Sequence, residues 1–336
     1  MTTEIDRLKF IWESLGSLHE ESGWKLITVS EQPAGRILAG RYYPDNLESL
    51  VVVFPDFVPG KQWNFPEGRG FSVRIVPPQS EFEGYGIALC RKREGGLELF
   101  TLMSEDLLRL LLQQTQHPTK NCTEVFLQRI YAWQKFMQSE SSRHLSTEQV
   151  RGLWGELEFI RRLVENGVPL RTAIQTWRGP LNNLHDFQFA SAHVEIKTSC
   201  NENGFAVFIG SLEQLTPVNG VPLYLSAFRL ETAENGLNLA EQIEEIDQLI
   251  GDDSQTQILF DSLLLNVGYL AKDAERYADK FRVQKAVLYP VDDQFPCLTR
   301  HNVPVTIASA RYTLQLEQMA MNTIPFNHFC EEVIHE

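Results

Sequence analysis

The sequence lacks the cysteine and histidine arrangements that build disulfide frameworks or zinc sites. Its five cysteines are odd in number, scattered and never spaced as C-x-x-C, which is typical of reduced thiols. The eight histidines show no H-E-x-x-H motif and no paired spacing. The sequence therefore excludes a disulfide scaffold and disfavours a structural zinc site.

Long apolar runs and the glycine motifs of several enzyme classes are also missing. No run approaches the about 20 apolar residues of a membrane span, and the start, MTTEIDRLKF, lacks the segments of a signal peptide. P-loop, G-x-S-x-G and Rossmann glycine patterns are absent, so ATP hydrolysis, serine hydrolysis and dinucleotide binding lack support. These absences predict a cytoplasmic protein that does not enter the membrane.

Positive charge is scarce, with 30 Lys and Arg against 44 Asp and Glu and a formal net charge of −14. The charge is −2 over residues 1–146, −1 over 147–230 and −11 over 231–336. Such a protein does not coat DNA electrostatically. A local basic groove, a divalent metal or a basic partner subunit remain as ways to engage DNA.

The chain of 336 residues has an ordinary globular composition and is long enough for two domains or one large domain with appendages. Its N-terminal part predicts a β-rich domain over residues 1–140, with two trailing helices, the first capped by Ser104. The predicted strands are 24–29, 36–43, 50–54, 71–76, 86–90 and 97–102.

A well-marked helix opens the next segment, because Ser146 and Gln149 form a capping box before an apolar stripe. Gly152 and Gly155 leave room for another backbone to approach. Glu156 falls at the edge of the apolar stripe. The helix and the elements after it predict a compact core over residues 145–232.

The order of elements in this predicted core is αβββαβ, followed by an acidic α/β extension over residues 233–336 that packs on the core. The core strands and short helix are predicted at 186–190, 194–199, 205–209, 211–215 (helix) and 222–230. The extension is predicted to hold helices near 239–250 and 258–279 and at least two further strands.

The stretch LHDFQFASAHVEIKTSC predicts a β-hairpin with chemistry on one face. A two-residue turn at 191–192 places Asp186 opposite Lys197 and Gln188 opposite Glu195, so all four side chains share a face. A loop with an even number of residues preserves this arrangement, and an odd one breaks it unless a bulge compensates. The apolar residues Phe187, Phe189, Val194 and Ile196 then face the core.

Two carboxylates and a lysine on one patch suit metal-assisted hydrolysis of a phosphodiester. Asp186 and Glu195 offer oxygen ligands to Mg²⁺, and Glu156 either completes the set or holds a water molecule next to it. Lys197 is placed to orient water or stabilise the transition state. About one Asp/Glu-x-Lys is expected by chance in this composition, so spacing alone also allows a solvated, amphipathic hairpin.

The element order, with an acid on the first helix, an Asp opening the second strand and E-x-K in the third, resembles the PD-(D/E)XK nuclease fold. More narrowly, the runs GLWGELEFIRRL, WRGP, HDFQF, HVEIKTS and FIGSLEQL resemble a bacterial family long described as a domain of unknown function. Its members are encoded in restriction-like and phage-defence gene clusters. The resemblance is strongest over residues 145–230 and implies a restriction-endonuclease-like α/β (α+β) fold.

The resemblance implies Asp186, Glu195 and Glu156 as ligands of Mg²⁺ or Mn²⁺, and Lys197 as the catalytic lysine. Gln214 lies where related nucleases sometimes place a supporting glutamine, and we assign Gln188 a similar role. One departure is plain, since His185 replaces the proline of the motif. The Asp that follows it carries the chemistry.

These features predict a Mg²⁺-dependent DNA endonuclease, the nuclease subunit of a restriction or phage-defence system. The alternative is a nuclease-fold protein that binds nucleic acid or scaffolds a complex without cutting. Expected partners are DNA and other subunits, such as a methyltransferase or a helicase-like ATPase, with homodimerisation left open. Candidate DNA-contacting residues are Arg151, Arg161, Arg162 and Arg178, although arginines on a helix more often form a solvated face.

Overall fold

The computed structural model describes residues 3–18, 22–33, 35–60, 65–113, 122–138, 144–201, 204–218 and 220–334. The chain divides into two compact units, residues 1–142 and residues 143–336, which we call the N-terminal and C-terminal units. The expected boundary segment, 139–144, lies largely outside the described residues. The C-terminal unit contains both the predicted core and the predicted extension, and their separation stays a prediction.

The N-terminal unit contains a five-stranded antiparallel sheet of order β1-β2-β3-β5-β4. Its strands are β1 Gly23–Gln32, β2 Gly35–Tyr43, β3 Leu47–Val53, β4 Phe71–Val76 and β5 Gly86–Arg91. Five of the six predicted strands are therefore confirmed. Helix α1, Glu4–Gly16, was not predicted, although it has a capping box and a buried stripe with helical spacing: Leu8, Ile11, Trp12 and Leu15.

The sixth predicted strand, 97–102, is wrong, since these residues begin helix α2, Leu97–Gln113. Ser104 is buried within that helix and does not cap it. The apolar residues recur every three or four positions from Phe100 onward, so helical burial prevails over the short alternating pattern. The second helix, α3, is confirmed at Cys122–Gln138.

The C-terminal unit begins with the predicted helix, α4, at Thr147–Glu165. Its capping box is confirmed, because Ser146 N–H donates to Gln149 Oε1 at 2.9 Å and Gln149 N–H donates to Ser146 Oγ at 3.2 Å. Two short elements then lead to the hairpin. They are α5, Leu170–Thr176, and a 3₁₀ turn at Gly179–Leu181.

A four-stranded sheet of order β10-β9-β7-β6 carries the site. Its strands are β6 Phe187–Gln188, β7 His193–Ser199, β9 Leu223–Leu237 and β10 Phe281–Pro290. The β6/β7 and β9/β10 pairs are antiparallel and β7/β9 is parallel. Strand β8, Ala206–Ile209, pairs instead with β11, Tyr312–Gln315, in a separate two-stranded sheet.

The helix predicted at 211–215 is wrong, because this segment forms bends and turns. Five residues give too few hydrogen bonds to offset helix nucleation. The segment is anchored instead by its buried residues Leu212 and Leu215. The parallel β7/β9 crossover is thus made through strand β8 and this turn.

The C-terminal helices cover the sheet and share one apolar core with α4 and β7. They are α6 Leu239–Ile250, α7 Ser254–Val267 and α8 Phe326–Ile334. The helix predicted at 258–279 ends earlier, since Gly268 has a φ of 99° and caps α7. A 3₁₀ segment follows at Ala271–Arg276.

The predicted α/β (α+β) fold class is confirmed by these elements. Within the described part of the chain, no helix combines the length and apolarity needed to cross a bilayer.

Candidate active site

The β6/β7 hairpin has the predicted facing but a different register. Phe187 pairs with Val194, Gln188 pairs with His193, and a two-residue turn lies at 190–191. The turn is one residue earlier than predicted, so every pairing is displaced by two residues. A displacement by two preserves which side chains share a face.

The same register places Asp186 beside Glu195 rather than opposite Lys197. The four apolar residues of the hairpin are buried in the core as predicted: Phe187, Phe189, Val194 and Ile196. On the other face, only 3% of Glu195 is exposed, and Asp186 and Lys197 are partly buried. The alternative of a solvated hairpin face is therefore wrong.

Asp186 joins the hairpin to the loop before it. Its carboxylate Oδ2 accepts the Ile196 N–H of β7 at 2.7 Å. Its main-chain carbonyl accepts two N–H groups, from Arg178 at 2.7 Å and from Gly179 at 3.0 Å. The aspartate is thus held on both sides by main-chain hydrogen bonds, which fix its orientation.

Helix α4 brings Glu156 to the hairpin because the preceding residue is glycine. A Cβ atom at Gly155 would lie 2.3 Å from Thr198 Cγ2 of β7, so the helix backbone rests directly on the strand. Close packing at Gly155 is confirmed, although its neighbour is the Thr198 side chain and not the predicted second backbone. The prediction is wrong at Gly152, which faces open space.

The Glu156 carboxylate is fixed by a buried tryptophan. Trp177, which is 0% exposed, donates its indole N–H to Glu156 Oε2 at 2.5 Å. A Cβ built at Gly179 would lie 2.8 Å from Glu156 Oε2 and 3.0 Å from Asp186 Oδ1. The two carboxylates therefore both lie against Gly179, where only a residue without a side chain lets the loop backbone pass so close to them.

Glu195 and Lys197 form an ion pair beside these acids. Lys197 Nζ donates to Glu195 Oε1 at 2.7 Å, and the side chains are 16% and 3% exposed. The lysine balances one negative charge of the three acids, Glu156, Asp186 and Glu195. Ionised together, the four groups carry two negative charges in excess.

Burial and mutual repulsion raise the pKa of each acid. Burial raises the pKa of Glu195 to about 8, with the charge of Asp186 adding to it and Lys197 opposing it. Burial raises the pKa of Asp186 against the effects of Lys197 and the Ile196 N–H. Burial and then Asp186 raise the pKa of Glu156, and the Trp177 hydrogen bond opposes the shift. Such shifts are typical of functional sites.

The arrangement fits a cation that takes few protein ligands. No group of three or more His, Cys, Asp or Glu among the described residues is arranged to hold a metal ion. Mg²⁺ commonly uses one or two carboxylates and completes its shell with water and phosphate oxygens. Glu156 and Asp186, whose carboxylates both lie against Gly179 and repel each other, form such a pair.

The two glutamines that sequence suggested as supporting residues have local partners. Gln214 Oε1 accepts the Gly210 N–H at 2.8 Å, which closes the turn after β8. Gln188 Oε1 accepts from Asn183 Nδ2 at 3.5 Å, a long contact. Their supporting roles stay predictions.

The candidate DNA-contacting arginines fall into two groups. Arg161 and Arg162 both bind Glu158, which is 2% exposed, with contacts of 2.9 Å and 2.6 Å. Their charge thus neutralises a buried acid. Arg178 is exposed beside the site, and Arg151 is partly buried with no hydrogen-bond partner for its Nε.

The histidines flanking the hairpin contact each other. His185 is fully buried, and its Nδ1 lies 3.2 Å from His193 Nδ1. Burial lowers the pKa of His185 to about 4, and His193 adds to the effect. The ring of His185 is thus neutral, and it occupies the position of the proline in the PD-(D/E)XK motif.

Sequence reasoning assigned no role to Trp177 and Gly179, although the run WRGP carried part of the resemblance. The sequence signal that could have indicated a role is their position between Glu156 of the helix and Asp186 of the hairpin. Their contacts arise only when α4, this loop and the hairpin meet.

The family model described as "Putative PD-(D/E)XK family member (DUF4420)" matches residues 8–317. No curated protein and no solved structure matches the chain significantly. The family match extends across nearly the whole chain and includes the helix acid, the hairpin and the E-x-K lysine. The resemblance drawn from the motifs is thereby confirmed, and the chain belongs to the DUF4420 family that this model describes.

Proposed function

We propose that this protein is a DNA endonuclease that hydrolyses phosphodiester bonds with Mg²⁺ or Mn²⁺ as cofactor. The supporting observation is the convergence of three acids, from helix α4, the residue just before β6 and the middle of β7, with one lysine beside them. Family membership supports a nuclease-like fold. The site supplies the groups that phosphodiester hydrolysis needs.

Asp186 and Glu156 are the residues best placed to hold the cation, with Glu195 next to them. A bound divalent cation supplies charge neutralisation and lowers the pKa of a water molecule. The excess of two negative charges among the four groups matches one such cation. The protein fixes the carboxylates beforehand through the Ile196 N–H and the Trp177 indole.

Lys197 supplies the positive charge of the site from the protein itself. One of its three N–H groups binds Glu195, so the ammonium has donors left for water or a phosphate oxygen. It would orient the attacking water or stabilise the charge that builds on phosphorus oxygens. Glu195 in turn holds the lysine in place.

The biological setting is a further part of the proposal. We place the protein as the nuclease subunit of a cytoplasmic restriction or phage-defence system that finds DNA through basic partner subunits. The net charge of −14 favours such partners, because the chain has little charge of its own to attract DNA. In this proposal Arg178, which is exposed beside the site, and Arg151 would contact the DNA.

A cleavage assay with Mg²⁺ or Mn²⁺ tests the activity in the wild type, Asp186→Ala and Lys197→Ala. Lys280→Ala is the control, since Lys280 forms an ion pair of similar length, 2.6 Å, with Glu241 at a more exposed place in the unit. We expect nicking by the wild type and the control and at least about a hundredfold loss in the two site variants. Equal nicking by all four proteins would show contamination and remove the proposal.

The second candidate function is a nuclease-fold protein that binds nucleic acid or scaffolds a complex. Burial raises the pKa values of Glu156 and Glu195, so without a cation these acids stay protonated and the site loses its negative charge. The pKa values favour the alternative in that case only. DNA binding by the wild type, without nicking under any divalent cation, would select this alternative.

A further inference from the structure

The loop that begins at Trp177 contacts both Glu156 and Asp186. Its tryptophan side chain donates to Glu156 Oε2 at 2.5 Å. The next two residues, Arg178 and Gly179, donate their main-chain N–H groups to the Asp186 carbonyl. One short segment therefore connects the helix acid through a side chain and the strand acid through the backbone.

Trp177 is itself held firmly. It forms a β-bridge with Phe187, and its ring lies 6.1 Å from the Phe260 ring, centroid to centroid. The indole is 0% exposed, so its N–H cannot turn to water. The carboxylate of Glu156 is the partner that satisfies this buried donor.

We propose that Trp177 is a positioning residue that holds the Glu156 carboxylate beside Gly179 and near Asp186, so that a divalent cation meets both acids already in place. The inference rests on the cation site of the proposed function. A glutamate side chain is flexible, and repulsion by Asp186 would otherwise turn it away from the site. The indole hydrogen bond opposes that repulsion.

A neutral donor suits this task better than a charged one. An arginine or lysine in the same place would pair with Glu156 and cancel the negative charge that attracts the cation. The indole fixes the carboxylate and leaves its charge intact. The opposite case is seen at Glu158, where Arg161 and Arg162 hold and neutralise the acid.

Binding of Mn²⁺ by the intact, nucleic-acid-free protein, measured by titration calorimetry, tests the proposal with Trp177→Phe. Trp154→Phe is the matched control, because Trp154 is also buried but donates its N–H to the Leu237 carbonyl, at 3.0 Å. We expect about tenfold weaker Mn²⁺ binding in Trp177→Phe, the size typical of residues that orient metal ligands. We expect the affinity of Trp154→Phe to be unchanged.

Equal Mn²⁺ affinities of the two variants would overturn the positioning role. If Trp177→Phe fails to fold, the metal-free protein labelled with nitrogen-15 at its indoles decides the question. The assigned Trp177 indole proton should lie downfield and move upfield in Glu156→Gln. An unchanged chemical shift of this proton in Glu156→Gln would also overturn the positioning role.

These outcomes are distinct from failure of the nuclease proposal. A wild type that binds Mn²⁺ without cutting DNA, and binds it less tightly after Trp177→Phe, removes the nuclease and keeps the positioning role. If the wild type cuts DNA and both tryptophan variants bind Mn²⁺ equally, the nuclease proposal stays and the positioning role is removed. A wild type that binds no Mn²⁺ removes both.

Discussion

Two buried glutamates of the C-terminal unit show how differently the same residue type can be treated. Glu158, 2% exposed, is bound by two arginines, whereas Glu195, 3% exposed, has one lysine and two acidic neighbours. The first acid is neutralised within the fold. The second contributes repulsion, and a cation is needed to relieve it.

Neutralising these two glutamates should therefore change stability in opposite directions. Glu195→Gln removes repulsion and should raise the free energy of unfolding of the metal-free protein by about 1 kcal/mol. Glu158→Gln removes charged hydrogen bonds and should lower it by about 2 kcal/mol. Urea denaturation measures both. A destabilised Glu195→Gln protein would show that Glu195 is a structural ion-pair residue.

Single residues of the site could be predicted from sequence only where a pattern carried them. Asp186, Glu195 and Lys197 follow from strand alternation, which places them on the face opposite the apolar residues, and the burial of Glu195 shows that this face is covered. The register could not be fixed, because turns at 190–191 and 191–192 satisfy the same alternation. Trp177 and Gly179 were missed because their roles exist only through contacts across elements.

At the scale of elements, the packing contact between helix α4 and strand β7 sets the position of Glu156. They meet at Gly155, where a side chain would overlap Thr198. The neighbouring Gly152 lies in the same helix with nothing within 4 Å of a built Cβ. The two glycines therefore separate the effect of packing from the effect of helix propensity.

Alanine at these two glycines should have opposite effects. Gly152→Ala should stabilise the protein by up to about 1 kcal/mol, since alanine is the better helix former. Gly155→Ala should destabilise it by about 1–3 kcal/mol, because the methyl group overpacks the contact, and should also weaken Mn²⁺ binding by displacing Glu156. Thermal unfolding checks the sign. Stabilisation by both substitutions would contradict the tight contact.

The start of helix α7 gives a prediction that depends on pH. Asp253 caps the helix, and its hydrogen bond to Thr256 lowers the pKa of the carboxyl. Because the pKa of Asp253 is lower in the folded protein, the cap contributes its full stabilisation above the ordinary pKa of an aspartate. This contribution is lost as the pH falls through the lowered pKa. Asp253→Ala should cost about 1 kcal/mol at pH 7 and less as the pH approaches 3. Asp253→Asn, which also caps, should show little dependence.

Elements with strong periodicity could be predicted, and short or ambiguous ones could not. Helices α3, α4 and α6 follow from their apolar stripes. The start of α2 reads equally as an alternating strand over 97–102, and only its packing decides. At 211–215 a helix was predicted where the chain forms a turn, because a serine at the cap position and two leucines do not suffice for a helix.

For the whole molecule, the charge of −14 complicates any test with cations. Most of it belongs to residues 231–336, away from the hairpin in sequence. Any salt screens such repulsion and raises stability somewhat. A specific cation site must therefore be separated from general screening before a divalent effect is interpreted.

Mg²⁺ or Mn²⁺ should stabilise the wild type beyond what screening explains, because a cation bound to the folded state alone shifts the unfolding equilibrium. At a hundred times its dissociation constant the gain is about 2.7 kcal/mol, and a chelator should remove it. NaCl at equal ionic strength gives the screening baseline. Asp186→Asn should lose the excess over that baseline, whereas Asp253→Asn, equal in charge change, should retain it. If the two variants respond alike, the divalent cation acts on the net charge of the chain, and the acids at Gly179 hold no ion.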